Sequence, residues 1–347
     1  MKKKALLALL CLGPLIFSSC ALTQKALTFD IATIKKGQSY PVLSYADDKR
    51  AHFVSGDEVY ESFLNNTYDA LIFDLNKGLD LIRNQKSNYK LVRVTNYGNA
   101  YIVKRNSYNK DHITGFSDVV SFENGLSHYD LDDRVFLDTG VHNNLYRYCT
   151  GLDLNTIDHI YPSVGDAYNA FINGQGDFAI LEEPYVSKLI TRTEKDYSLY
   201  MNLVDEFALL DGEYTKVPNT GLFISPRLEN LNKGNDKKIL DNFLESVDKN
   251  LRDLETGNGM RNMDFVKDYI NKGTVDIYDY FGCTSDELGR FLNGETNPNG
   301  INAFGFCSHP IDLDGFIKNQ NAKNSRIFIP EIPSYCYSKH FNFIDKK

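Results

Sequence analysis

The chain has 347 residues and a formal net charge of −8, from 38 basic and 46 acidic side chains. Nucleic-acid binding depends on neutralising phosphates with Lys and Arg, so this acidic balance argues against a nucleic-acid partner. The length exceeds one typical compact core and predicts two domains or lobes.

The N-terminus has the order of segments that marks an export signal. Three lysines, Lys2–Lys4, precede an apolar run, Ala5–Phe17, that is too short to span a bilayer permanently. The run leads into Ser18-Ser19-Cys20, and a cysteine directly after small residues resembles the lipobox of bacterial lipoproteins, although Phe17 replaces the usual Leu. The resemblance implies that residues 1–19 are removed and that Cys20 carries lipid such as palmitate, which anchors the chain to the extracytoplasmic face of the cell membrane. A plain cleaved signal and an uncut anchor are the alternatives, and both also deliver the rest of the chain outside the cytoplasm.

The remaining cysteines do not suggest a metal site. They show no CxxC spacing and no close pairing with histidine of the kind that a zinc site needs. Outside the cytoplasm, Cys283 and Cys307 either form a disulfide or remain thiols. We therefore expect neither a metal nor a cofactor. The four cysteines after the signal are Cys149, Cys283, Cys307 and Cys336.

Two segments of the chain repeat one pattern at a fixed offset of 108 residues. Each copy predicts an amphipathic helix, a polar turn and a short buried strand that ends in a carboxylate. A two-lobed origin explains seven like positions in one ungapped register better than chance similarity between two helix–strand units, which is the alternative. The like pairs are Tyr60 with Tyr168, Phe63 with Phe171, Leu64 with Ile172, Asn65 with Asn173, Asp69 with Asp177, Ile72 with Ile180, and Asp74 with Glu182.

Helices and buried strands alternate along most of the chain, which predicts an α/β architecture. The repeated units place helices near Glu58–Asn65 and Asp166–Asn173, and strands at Asp69–Phe73 and Asp177–Leu181. Beyond Gly273 the pattern is irregular and rich in Gly, Asn and Pro. The other predicted strands are Leu91–Lys104, Val135–Asp138, His159–Tyr161 and Gly221–Ser225, and the other predicted helices begin near His142 or cover Lys237–Leu254 and Met260–Ile270.

No motif in the sequence calls for catalysis. A G-x-S-x-G elbow, a Walker loop, a G-x-G-x-x-G turn and an H-E-x-x-H helix are all absent, and the seven histidines are scattered. We therefore expect a protein that is not an enzyme.

The most specific string is the segment Asn173–Tyr185, NGQGDFAILEEPY. It resembles the helix, Gly-x-x-Asp-Ala, strand, Glu-Pro element of ABC-transporter solute-binding proteins, in the group that takes up thiamine precursors, sulfonates, nitrate and related solutes. The resemblance implies a two-lobed type II periplasmic-binding-protein fold with the ligand in the cleft between the lobes. The expected limits are 1–19 for the signal, 20–105 for the first part of lobe 1, 106–217 for lobe 2, and 218–347 for the return to lobe 1 with C-terminal helices and an irregular tail.

Ligands of open α/β sheets bind beyond the carboxyl ends of strands, which directs attention to polar residues there. Asp74 and Asn76 end the first repeated strand, where Asp74 either accepts a hydrogen bond from a ligand amine or caps the helix that begins near Gly78. Asn219 precedes the strand that returns the chain to the first lobe, so it is a candidate hinge or cleft residue, as is Thr220.

The segment Asp138–Asn144 opens a helix after the predicted strand at Val135. Gly140 allows close approach to the backbone, the free N–H groups of a helix start suit an anion, and three side chains add donors. The alternative is an ordinary helix cap with a surface histidine. The candidate ligand-binding residues here are Thr139, Gly140, His142 and Asn143.

The second repeated strand ends in Glu182-Glu183-Pro184-Tyr185, where the resembled family places a cleft-facing Glu-Pro. We expect one glutamate to point to solvent and Glu182, the partner of Asp74 in the repeat, to face the ligand. Tyr185 is placed to stack on a ligand ring.

Together these features predict a solute-binding protein that delivers a small ligand to an ABC permease and acts as a monomer. Acidic strand ends favour a ligand with amines, while the loop at Gly140 favours an anion, so a thiamine-like, phosphorylated or amino-acid-like molecule fits best. One alternative is a surface lipoprotein that binds a partner protein, which predicts a shallow cleft and an exposed apolar patch in the tail after Gly273. In that tail, Asn297–Gly300 with Phe304–Phe306 is a candidate cleft loop or docking surface. The other alternative is an enzyme on the same fold.

Overall fold

A computed structural model describes residues 28–34, 37–45, 50–107, 112–113, 118–123, 140–192, 196–231, 234–255, 283–306, 308–309, 312–323 and 331–341. Cys20 and Thr139 lie outside these residues, as do the predicted strand Val135–Asp138 and the predicted helix Met260–Ile270.

The described residues form ten strands and ten α-helices. The strands are β1 (Ile31–Ile34), β2 (Ala51–Val54), β3 (Ala70–Asp74), β4 (Lys90–Asn96), β5 (Tyr101–Arg105), β6 (Val119–Phe122), β7 (Ile157–Tyr161), β8 (Phe178–Leu181), β9 (Tyr197–Asn202) and β10 (Thr220–Ile224). The helices are α1 (Gly56–Asn65), α2 (Leu75–Arg83), α3 (Val141–Thr150), α4 (Val164–Ile172), α5 (Tyr185–Arg192), α6 (Leu203–Asp211), α7 (Pro226–Glu229), α8 (Gly234–Glu255), α9 (Ser285–Leu292) and α10 (Leu313–Ala322). Short 3-10 helices cover Gly37–Tyr45, Leu154–Thr156, Gly300–Phe304 and Ser334–Cys336.

The strands form two five-stranded mixed sheets with the same internal order. The first sheet runs β2-β1-β3-β10-β4 and the second runs β7-β6-β8-β5-β9. In the first, β1 is parallel to β2 and β3, while β10 is antiparallel to β3 and β4. In the second, β6 is parallel to β7 and β8, while β5 is antiparallel to β8 and β9. Each strand of one sheet thus has a counterpart in the other, and the two sheets are the cores of the two lobes.

The chain passes between the lobes twice, once between β4 and β5 and once before β10. The predicted single strand Leu91–Lys104 is therefore wrong, because β4 pairs in the first sheet and β5 in the second. Gly98 and Asn99 separate them with φ angles of 134° and 70°, in a region where side chains other than glycine are uncommon. The predicted limit of lobe 1 at residue 105 also needs correction, since β5 belongs to the second sheet.

The repeated units adopt the predicted helix–strand structure in both lobes. The first gives α1 and β3, and the second gives α4 and β8. The repeat extends to the helix caps, because Ser55 Oγ accepts a hydrogen bond from the backbone N–H of Glu58 and Ser163 Oγ accepts one from Asp166. Both serines satisfy a backbone donor that a helix start would otherwise leave unpaired.

The C-terminal part of the described chain contacts both lobes, and its aromatic residues complete the core of the first. The Phe243 ring of α8 lies 4.7 Å from Phe29, and the Phe304 and Phe306 rings lie 5.2 and 6.0 Å from Tyr40. Phe304 and Phe306 are buried, so the docking surface considered at Phe304–Phe306 is wrong. These aromatic rings bury apolar area that stabilises the lobe.

Cys149, Cys283 and Cys336 are free thiols. The alternative of a disulfide at Cys283 is therefore not realised, and Cys307 lies outside the described residues. Within the described ranges, no helix combines the length and the apolar character needed to cross a membrane.

Candidate functional site

A pocket lies at the carboxyl ends of parallel strands from both lobes. The first lobe contributes the ends of β1 and β2, and the second contributes the turn after β7 and the start of α5. Its volume of about 260 Å³ is just below that of typical ligand sites, which hold roughly 300–1,000 Å³. The lining residues are Ile34, Val54, Ser55, Gly56, Asp57, Pro162, Ser163, Val164, Gly165, Asp166 and Tyr185.

Two helix N-termini line this pocket, one from each lobe. The first turns of α1 and α4 both contribute wall residues, including Gly56 and Gly165. Helix starts carry unpaired N–H groups and partial positive charge, which suit anionic or carbonyl oxygens. Asp57 and Asp166 lie in the same first turns and add acceptors. The pocket can therefore bind a polar solute that has both donor and acceptor groups.

Tyr185 lies in the pocket wall. Its hydroxyl rests against Gly165, 3.1 Å from the position that a Cβ atom there would take. The Tyr185 ring lies 5.7 Å from the Tyr168 ring, and Lys188 Nζ lies 5.5 Å from its centroid. The aromatic and cationic neighbours hold the ring in place at the pocket.

Four of the other predicted site residues lie in a buried group beside the pocket, which we call the interlobe cluster. Its members come from both lobes and from the second crossover, the segment before β10 in which the chain passes back to the first lobe. All are less than 9% exposed. Three of them lie at the ends of β3, β6 and β8, two lie in the first turns of α2 and α3, and Asn219 precedes β10. Strands β3 and β6 neighbour β1 and β7, which border the pocket. The cluster consists of Asp74, Lys77, Glu123, His142, Glu182 and Asn219.

His142 and Glu182 are in side-chain contact inside the second lobe. His142 Nε2 lies 2.7 Å from Glu182 Oε1, and the imidazole packs on Phe122 at 4.8 Å. Asn219 Nδ2 lies 3.5 Å from His142 Nε2 and donates to Gly98 O at 2.8 Å, which connects this contact to both crossovers. His142 is 4% exposed, so the surface-histidine alternative is wrong.

Lys77 and Glu123 form an ion pair between the lobes. Lys77 Nζ lies 3.2 Å from Glu123 Oε1, and the side chains are only 1% and 2% exposed. Sequence reasoning missed both residues. The sequence did contain a signal for Lys77, because side chains three residues apart on a helix are neighbours and Lys77 follows Asp74 by that spacing. Glu123 offered none, since the strand before it, β6, was not predicted.

Asp74 caps α2, which was one of its two predicted roles. Its Oδ1 accepts a hydrogen bond from the backbone N–H of Lys77 at 3.1 Å, while Asn76 is buried in the first turn of the same helix. Gly140 is the N-cap of α3, and as a glycine it has no side chain that could accept a capping hydrogen bond. Asn143 is buried, and its Oδ1 accepts from Ser121 Oγ at 2.6 Å.

Glu183 does not point to solvent, and neither does Glu182: both are 0% exposed. The expectation that one glutamate faces water is therefore wrong. Asn297 Nδ2 donates to Glu183 Oε1 at 2.8 Å, and the Ser187 N–H donates to Oε2 at 3.1 Å. Burial raises the pKa of Glu183 to about 7, against the lowering effect of these hydrogen bonds. Glu183 thus joins the end of β8 to the C-terminal segment through Asn297.

The described residues contain no group of three or more His, Cys, Asp or Glu side chains arranged to hold a metal ion. The pocket and the cluster offer hydrogen bonds, charges and an aromatic wall. Their chemistry suits reversible binding of a small polar molecule.

No protein-family model matches the sequence, and a search of curated proteins finds no significant match. Solved structures do match. The alkanesulfonate-binding protein SsuA from Xanthomonas axonopodis pv. citri, bound to MOPS, aligns with a TM-score of 0.55 at 14% identity over 89% of this chain and 96% of that chain. The ligand-binding component of an ABC-type import system from Staphylococcus aureus, with zinc bound, gives 0.56 at 12% identity over 90% and 99%.

An ABC transporter structure from Parabacteroides distasonis gives a TM-score of 0.51 at 14% identity over 89% of this chain and 98% of that chain. Identities this low establish the fold alone. The chain therefore has the two-lobed α/β fold of ABC-transporter solute-binding proteins, as its sequence resemblance predicted.

Proposed function

We propose that the protein is an extracytoplasmic solute-binding lipoprotein that captures a small polar molecule and delivers it to an ABC-type import permease. One observation carries the proposal: a pocket lined by helix N-termini from two different lobes. Cys20 is the proposed lipid anchor, on the sequence argument alone. The protein works as a monomer without a cofactor.

Capture follows from the two-lobed design. A solute in the pocket contacts α1 of the first lobe and α4 of the second, so it gains its full set of contacts only when the lobes are together. A ligand shifts a conformational equilibrium by its differential affinity for the two states. The closed form is then the signal to the permease, and no chemical step is needed.

Tyr185 is the proposed aromatic contact to the solute. The interlobe cluster, with Asn76, Gly140 and Asn143, supplies the proposed further contacts beside the pocket, and Thr139 is a proposed contact on the sequence argument alone. Helix N-termini favour an anionic group and the carboxylates favour a cationic one. A thiamine-like, phosphorylated or amino-acid-like solute meets both conditions.

Thermal unfolding of the chain from Ala21 onward tests solute binding. All described elements follow residue 27, so they are retained. The screen contains thiamine and its phosphates, pyrimidines, amino acids, polyamines, sulfonates and nucleosides. Saturation at 100 times the dissociation constant adds about 2.7 kcal/mol to the free energy of unfolding. This corresponds to a shift of several degrees, at roughly 2–4 °C per kcal/mol.

Two glycine variants make the screen specific to the pocket. Gly165→Leu places a side chain between α4 and Tyr185 and should abolish the shift. Gly289→Leu is the matched control, because nothing lies within 4 Å of a Cβ atom there and α9 does not line the pocket. A shift that survives Gly165→Leu would place the solute elsewhere, and no shift with any compound would favour a surface lipoprotein that binds a partner protein.

A further inference from the structure

Residues 297–306, which we call the C-terminal strap, lie across the first crossover, between β4 and β5. On the second-lobe side, the Tyr101 hydroxyl of β5 donates a hydrogen bond to Ala303 O at 2.9 Å. On the first-lobe side, the backbone N–H of Tyr97 donates to Gly305 O at 2.7 Å. The strap therefore connects the two ends of this crossover a second time.

The strap packs against the crossover backbone to backbone. Gly305 has a φ angle of 68°, and a Cβ atom there would lie 2.6 Å from Tyr97 O and 3.2 Å from Gly98 N. Phe304, the residue before it, is fully buried, and its ring lies 5.2 Å from the Tyr40 ring of the first lobe. Glycine permits both this backbone angle and this close approach.

The most adaptable point of the crossover is also bonded to the strap. Gly98 and Asn99 have positive φ angles, and residues between domains absorb the backbone rotation when the domains move. The Asn99 side chain makes two hydrogen bonds to the Glu183 backbone, and Asn297 of the strap donates to the Glu183 carboxylate at 2.8 Å. A rotation at Gly98-Asn99 therefore acts on the strap through Glu183.

The second crossover is bonded to the first, so the strap restrains both. The backbone N–H of Asn219, just before β10, donates to Asn96 O at 3.0 Å. Its side-chain Nδ2 donates to Gly98 O at 2.8 Å. The two connections between the lobes thus move together.

The side chains that make these contacts are shielded from water. Tyr97, Asn99, Tyr101 and Asn297 are each 2% exposed or less. A buried donor or acceptor that loses its partner costs more free energy than an exposed one, because water does not replace the bond. A lobe rotation large enough to break these bonds is therefore unfavourable.

We propose that the C-terminal strap limits how far the two lobes can open, so that the chain stays close to its joined form in the absence of solute. The inference goes beyond the proposed function, because it concerns the range of lobe motion and holds for any solute. A chain that already occupies its binding-competent form loses little affinity to closure.

Pulsed electron paramagnetic resonance tests this range of motion in the chain from Ala21 onward. Spin labels are attached to ketone-bearing amino acids at positions 65 and 169, which leaves the cysteines unlabelled. Asn65 and Asn169 are exposed and lie on α1 and α4, whose first turns line the pocket from the two lobes. Without solute, the original chain should give one narrow distribution of distances.

A pair of tyrosine variants tests the strap with minimal disturbance. Tyr101→Phe removes the hydrogen bond to Ala303 O. The matched control is Tyr89→Phe, because the buried Tyr89 hydroxyl donates to Tyr68 O inside the first lobe. Tyr101→Phe should add a component at longer distance, and Tyr89→Phe should leave the distribution unchanged.

A pair of glycine variants tests the close packing. Gly305→Ala places a methyl group against Tyr97 O and should also add the longer-distance component. The matched control is Gly294→Ala, since Gly294 has a similar φ angle of 74° and the nearest atom to a Cβ there, Asn297 O, is 3.7 Å away. Both variants place alanine in the left-handed region, but only the first displaces the strap from the crossover.

The outcomes are distinct from those of the solute screen. A broad distribution in the original chain overturns the inference and leaves solute binding intact. Folded Tyr101→Phe and Gly305→Ala chains with an unchanged distribution also overturn it, as do control variants that broaden it equally. If Gly305→Ala does not unfold cooperatively, the tyrosine pair decides.

Discussion

Glu182 and Glu183 are adjacent at the end of β8, yet they take part in different interactions. Glu182 contacts His142 within the interlobe cluster, whereas Glu183 is bonded to Ser187 of α5 and to Asn297, just before the 3-10 helix Gly300–Phe304. Asn99 adds two bonds to the Glu183 backbone. One glutamate is thus placed at the cleft, and the other holds the crossover and the C-terminal segment on the second lobe.

The raised pKa of Glu183 predicts a pH-dependent stability. Its pKa rises from 4.5 to about 7 on folding, so the folded chain holds this proton more tightly than the unfolded chain. The stabilisation is complete below the unfolded pKa and is lost as the pH rises through 7. By linkage, the loss between about pH 5 and pH 8 amounts to about 3 kcal/mol at most. Urea unfolding across this range should show the decline, and Glu183→Gln should remove it.

Glu255→Gln is the control for this pH series. Burial raises the Glu255 pKa, but hydrogen bonds from Ser308, with Lys216 and His309 nearby, outweigh it and lower the value to about 2. Stability from Glu255 is therefore lost only as the pH falls below 4.5. Glu255→Gln should change how the free energy of unfolding falls at acid pH and leave its decline above pH 5 unaltered. A Glu183→Gln chain that keeps the full slope would contradict the assignment.

At the residue scale, the sequence pointed to several buried polar residues at strand ends but not to their partners. The repeat pointed to Asp74 and Glu182 because a carboxylate after a buried strand is visible in the pattern. Lys77 and Glu123 were missed because their pairing depends on how the two lobes meet, which involves residues distant in the chain. For the same reason the sequence could not show that both Glu182 and Glu183 are buried.

At the scale of the elements, close packing between α2 and β10 fixes the first lobe. A Cβ atom at Gly78 would lie 2.4 Å from Phe223 Cζ, and Phe223 is fully buried with its ring 5.1 Å from Phe63. The ring has little freedom to move aside. Glycine at 78 therefore lets the helix approach the sheet closely.

Alanine at two helical glycines should have opposite effects. Gly78→Ala forces the Phe223 ring to shift, so the free energy of unfolding should fall by about 1–3 kcal/mol, as overpacking typically costs. Gly289→Ala meets nothing within 4 Å, and should gain up to about 1 kcal/mol from its higher helix propensity. Urea denaturation measures both. Equal effects at the two sites would contradict the packing described for α2.

The repeated helix–strand units were predictable because their hydrophobic periods are strong and their caps and turns are local. The joint between β4 and β5 was not, since an apolar run shows that a segment is buried but not which sheet it joins. Gly98-Asn99 within that run was the available signal of a break. The four-residue strands β1, β2 and β6 are too short for a clear period and were missed.

At the scale of the whole molecule, the two sheets share one strand order, and each receives an antiparallel strand at the same place. This symmetry sets the carboxyl ends of β1, β2 and β3 opposite those of β6, β7 and β8. The pocket and the interlobe cluster occupy that boundary, so relative motion of the lobes changes both at once. Two crossovers, rather than one, guide such motion.

Native mass spectrometry tests the central claim of solute capture most directly, because it requires no prior choice of ligand. The chain from Ala21 onward is incubated with an extract of small metabolites, desalted and weighed intact. We expect a mass increase that corresponds to one small molecule per chain, absent in Gly165→Leu and retained in Gly289→Leu. An unchanged mass for a cooperatively folded chain would contradict solute binding.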